Sequence, residues 1–172
     1  MTNWNHNLIT NEESSRPFGN YLGYAILNCG AIENLTYSYA ATMDGSHLFD
    51  TKLRGKWFSD RVKCVIQLLD EVDISDELRQ KAIELWSEAK EVMKKRNLIA
   101  HNPINHVQID RDEGGTETLL AVIDMAKSTP NNIQYLDASK ISNLANRANQ
   151  IAHGLFECLK YIEGELADCT ES

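Results

Sequence analysis

Apolar residues recur at helical spacing along most of the chain, and the places where that spacing fails divide it into elements. Phe18, Leu22, Ala25, Cys29, Ile32, Thr36 and Tyr39 form one stripe, widened by Ile26, Tyr37 and Ala40, which predicts a helix from Phe18 to about Met43. Glu33 lies beside the stripe, either as a carboxylate at the rim of the core or as a partner for Arg96 or a member of the site. Met43-Asp-Gly-Ser-His breaks the pattern, with Gly45 the natural stop and His47 a loop residue. A second helix is expected from about Trp57 to Glu71, with Phe58, Val62, Val65, Leu69 and Val72 inward. Ser75-Asp-Glu-Leu then reads as a helix start, with Ser75 at the N-cap and acids in the first turn. The third helix is a seam of Leu78, Ala82, Leu85, Ala89, Val92, Arg96 and Ile99 at alternating steps of four and three, and it ends before Pro103.

The period then changes from helical to alternating. His106-Val-Gln-Ile-Asp, a turn at Asp112-Glu-Gly-Gly and the run Thr116 to Ile123 predict a hairpin over about 105–124. Thr129-Pro-Asn-Asn is a loop, and a last helix is expected from about Ser139 to Leu166. Its seam is Ile141, Leu144, Ala148, Ile151, Leu155, Leu159 and Ile162, with His153 on the polar side. The pattern as a whole predicts a mostly α fold: an antiparallel helical bundle of four to five helices with a short β-hairpin inserted before the last. Residues 1–17, including Trp4, read as a flexible N-terminal arm, 18–166 as a single domain and 167–172 as a frayed tail.

Composition narrows the class. A chain of 172 residues is long enough to bury a sizeable core. No run of about eighteen apolar residues is present to span a membrane. Met-Thr-Asn-Trp-Asn-His-Asn lacks the basic and apolar regions of a secretion signal. Cys29, Cys64, Cys158 and Cys169 are widely spaced, which fits reduced packing residues and a cytoplasmic protein. The net charge of −8 repels polyanions on average, so contact with nucleic acid would be local and salt-sensitive.

One residue breaks the third seam. Arg96 stands where an apolar side chain is expected, and a guanidinium set against its own helix's pattern is costly unless it is paired or used. His101 follows five residues later at the helix end, with Asn97 and Asn102 beside the pair. Arg96-Asn97-Leu98-Ile99-Ala100-His101 resembles the Arg-x4-6-His signature of the HEPN superfamily, in the form with Asn directly after Arg. The context is similar as well, since the motif closes a long helix of a small helical domain. The resemblance implies a stand-alone, metal-independent endoribonuclease without a cofactor, acting as a homodimer whose two motifs share a cleft. It further implies a toxin of a toxin–antitoxin pair or a component of antiphage defence, with RNA and a regulatory protein such as an antitoxin as partners.

Carried onto this chain, His101 would be the general base or acid at the ribose 2′-hydroxyl and the leaving oxygen, a task suited to an imidazole because its ordinary pKa of roughly 6.5 populates both states. Arg96 would hold the scissile phosphate bidentately and stabilise its added charge. Asn97, four residues before His101 and so on the same helix face, would fix His101 or the phosphate. Lys94, Lys95 and Asn102 would bind RNA, and Lys90 extends the basic run, although Glu88 and Glu91 are interleaved. Arg96 and His101 are about 140° apart on an ideal helix, so a second copy of the chain answers why they need not converge within one. The alternative is a non-catalytic HEPN-like dimerisation or nucleotide- or RNA-binding module, in which Arg96 is an ion-pair residue and His101 meets the carbonyl end of its helix.

Other chemistries find less support. His101, His106 and the hairpin acids lack a zinc spacing, and no Gly-rich loop follows a strand. No Gly-x-Ser-x-Gly elbow or Cys–His nucleophile arrangement is present. Asp110, Arg111, Asp112 and Glu113 make the hairpin tip acidic, a poor surface for RNA.

Overall fold

A computed structural model describes residues 12–44, 53–110, 115–126 and 132–170 of the chain. In order, the elements are α1 (Glu12–Asp44), α2 (Phe58–Glu71), α3 (Asp76–His101), β1 (Ile104–Asp110), β2 (Thr116–Ile123), β3 (Ile133–Leu136) and α4 (Ala138–Thr170). The fold is mostly α, with a small antiparallel sheet ahead of the last helix, as the change of period predicts. Three features exceed the prediction. α1 begins at Glu12 instead of Phe18, the hairpin carries a third strand, giving the order β1-β2-β3, and α4 runs on to Thr170 through residues expected as a frayed tail. Trp4 and His47 lie outside the described residues. Among those described, no helix is long and apolar enough to cross a membrane.

The chain forms two compact units, Met1–Ile26 with Lys94–Asn146 and Leu27–Met93 with Arg147–Ser172. In the first, β2 is the central strand and buries Leu120, Ala121 and Val122. It pairs with β1 from Ile104↔Val122 to Asp110↔Thr116, and with β3 from Leu120↔Leu136 to Ile123↔Ile133. Leu120 meets Phe18 of α1 and Ile141 of α4, and Tyr21, Leu22, Leu136 and Ala138 close around them. Phe18 also packs against His106, the rings tilted with centres 5.8 Å apart, which gives that histidine a packing role. α4 starts where Asp137 accepts the Lys140 amide at 2.7 Å and the Ser139 hydroxyl at 2.6 Å. Those bonds, the hydroxyl's first, hold the Asp137 carboxyl below the usual carboxylate range.

The second unit is a helical bundle around Trp86, which is fully buried. Tyr39 of α1 meets Trp86 edge-on at 5.2 Å, and Phe58 of α2 tilts against it at 6.5 Å. The Tyr39 hydroxyl donates to the Leu155 carbonyl at 2.8 Å, a bond that a buried phenol requires, and burial raises its pKa. Two arginines stitch the bundle. Arg79 of α3 donates to the carbonyls of Leu69 (2.8 Å), Val72 (3.1 Å) and Ile74 (3.2 Å), satisfying the C-terminal end of α2 and the link that follows. Arg61, only 8% exposed, donates to the Tyr37 hydroxyl at 2.6 Å, lies over the Tyr37 ring and meets Glu33 at 3.5 Å. Glu33 is thus a rim carboxylate with a partner on α2.

Ser75 precedes α3 as expected, its carbonyl accepting the Arg79 amide at 3.0 Å. Its own amide and hydroxyl both donate to Glu165, at 2.6 and 2.8 Å, and these bonds hold the Glu165 carboxyl below its ordinary range. Cys29, Cys64 and Cys158 are free thiols, two of them buried.

Candidate functional site

All the motif residues fall in the first unit, on the last two turns of α3 and just beyond it. The seam explains why α3 reaches this far: Val92, Met93 and Ile99 are buried, so apolar contact continues on both sides of Arg96. Arg96 itself is half-buried, with its Nε shielded from solvent. Its Nη1 donates to the Asn97 Oδ1 at 3.0 Å. Asn97 and His101 are exposed and stand four residues apart on one helix face. Asn97 therefore orients the guanidinium directly, a contact that the motif spacing alone does not reveal. Lys94 and Lys95 are exposed on the preceding turn, and Glu88 forms an ion pair with Arg147 of α4.

Asn102 plays a part in building this end of the molecule. Its Nδ2 donates to the Leu98 carbonyl at 2.7 Å, capping α3, and its Oδ1 accepts the Met125 amide at 2.9 Å from the turn after β2. The Pro103 carbonyl accepts the Ile123 amide at 3.1 Å, so β-pairing begins two residues after His101. The helix end and the sheet are thereby joined by one amide side chain and a two-residue connection. A sequence reading that places Asn102 among RNA contacts does not see this role, because its second partner is 23 residues away.

The arrangement offers an oriented guanidinium, an exposed imidazole at the carbonyl end of a helix and two exposed ammonium groups. A guanidinium and ammonium groups suit an anion such as a phosphodiester, and an imidazole suits proton transfer. Among the described residues no group of three His, Cys, Asp or Glu side chains is placed to hold a metal ion. Comparison with protein-family models, curated proteins and solved structures gave no match.

Proposed function

We propose that the protein is a metal-independent endoribonuclease of HEPN type, working in the cytoplasm as a homodimer and serving as a toxin or antiphage-defence component. The observation that carries this reading is the Arg96–Asn97 hydrogen bond at 3.0 Å at the same helix end as an exposed His101. It supports a guanidinium oriented at the same helix end as an exposed imidazole.

In the reaction, His101 takes the proton of a ribose 2′-hydroxyl, and the 2′-oxygen attacks the adjacent phosphorus. Arg96 stabilises the phosphorane charge. The bond to the 5′-oxygen breaks as that oxygen is protonated, leaving a 2′,3′-cyclic phosphate and a free 5′-hydroxyl. Water supplies that proton, and His101 returns the one it took to solvent.

The test is cleavage of mixed RNA in EDTA by wild type and His101→Ala, with the product ends analysed. Wild type should leave 2′,3′-cyclic phosphate and the variant should be inactive. A folded dimer that cleaves no RNA would support the non-catalytic binding or dimerisation module, and cleavage abolished by EDTA would overturn the chemistry.

A further inference from the structure

A second cationic surface lies on residues 53–63, away in sequence from the Arg96–His101 helix end. Leu53, 1% exposed, anchors the segment in a small core with Ala40 and Leu68. The Lys56 amide donates back to the Leu53 carbonyl at 3.2 Å, closing a turn on Gly55, whose φ of 75° suits glycine. The turn leaves Arg54 and Lys56 exposed. Lys63 bridges Asp60 at 2.9 Å and so answers the segment's one acid. In a chain of net charge −8, this is a locally basic surface.

Trp57 stands in the middle of it. It occupies the N-cap of α2, where Ser, Thr, Asp or Asn is favoured, and it makes no side-chain cap bond. It is also 82% exposed, while its neighbour Phe58 turns inward toward Trp86. A tryptophan that neither caps nor packs leaves its ring face open to a ligand.

We propose that residues 53–63 form a platform for single-stranded RNA, with Trp57 stacking on a base and Arg54 and Lys56 holding the flanking phosphates. Stacking needs one free ring face and tolerates any base, and two exposed cations within three residues of that ring, Arg54 and Lys56 (whose ammonium donates to the Cys64 Sγ at 3.3 Å), match a backbone that passes by it. A bilayer would require a cluster of exposed apolar side chains, whereas among the described residues of this segment Leu53 is buried and Phe58 is half-buried against Trp86. The proposal rests on the RNA reading of the Arg96–His101 site only in taking the strand to be RNA.

The experiment measures binding of a labelled uridine oligomer of about twelve nucleotides to full-length His101→Ala protein in EDTA, which separates binding from cleavage. Trp57→Ala should weaken binding about tenfold and Trp57→Phe should restore most of it. Replacing Arg54 and Lys56 together by Ala should reduce the slope of log affinity against log salt by about 1.4. A duplex RNA, its bases already stacked, should bind more weakly. Unchanged affinity in Trp57→Ala overturns the proposal, as does Trp57-dependent binding to phosphatidylserine vesicles with none to RNA. If wild type cleaves nothing yet binding depends on Trp57, the nuclease reading alone fails. If wild type cleaves and Trp57→Ala binds and cleaves unchanged, the platform alone fails.

Discussion

Arg61, Arg79 and Arg96 show how differently one side chain is used along a single fold. Arg79 satisfies three carbonyls around the end of α2, so Arg79→Ala should cost about 2 kcal/mol by urea denaturation, and Arg79→Lys should recover only part because an ammonium cannot span all three. Arg61 answers Tyr37 and Glu33 within the bundle. Arg96 donates to Asn97 at a helix end, and on the proposed nuclease reading Asn97→Ala should lower cleavage while leaving the fold intact, since Asn97 is exposed. The sequence separates Arg96 from the others only because it falls on the apolar seam. Arg61 and Arg79 are equally structured but sit where the pattern allows a polar residue, and their partners come from other elements. Glu33, placed in advance at the rim of a stripe, could not be assigned its partner for the same reason.

At the scale of elements, legibility follows periodicity. Every seam residue named for α4, from Ile141 to Ile162, is buried, and α2 matches its expected span to within one residue. In α1 the widening was less legible, since Ile26 is 47% exposed although it neighbours a buried Ala25. Trp86 and Met93, central to the core, lie beside the α3 seam and not on its strict repeat. β3 escapes because four residues carry too little alternation and its partner strand is set by tertiary packing. Capping gives a direct test. Asp137→Ala should destabilise α4 by about 1 kcal/mol. Because the folded carboxyl's pKa is lowered, its contribution is present above the ordinary carboxylate range and fades as pH falls through the folded value. The difference in melting between wild type and variant should therefore shrink in acid. Gly23 of α1 is exposed with nothing within 4 Å of an added Cβ, so Gly23→Ala should raise stability by about 0.5–1 kcal/mol in the same measurement.

On the proposed nuclease reading, the question for the whole molecule is where one active site ends. If a site takes Arg96 from one protomer and His101 from the other, two inactive variants can complement each other. Arg96→Ala mixed in equal amounts with His101→Ala and allowed to exchange should recover about a quarter of wild-type cleavage, because half the dimers are mixed and each mixed dimer keeps one intact site of two. Recovery of none would place both residues of a working site on one chain.

The Asn102–Pro103 joint has a further consequence for how the chain tolerates length changes. It contains no slack. One residue inserted in α3 just ahead of Arg96 would swing the motif by about 100° relative to the turns before it. One inserted after Pro103 would move every β1 side chain to the opposite face of the sheet. A residue added between β1 and β2 would lie beyond their last pair, Asp110↔Thr116, and would leave the register of both strands unchanged. Variants of this protein that differ in length should therefore carry their insertions in that connection, and a working copy should keep the spacing from Arg96 through the first residues of β1 unbroken.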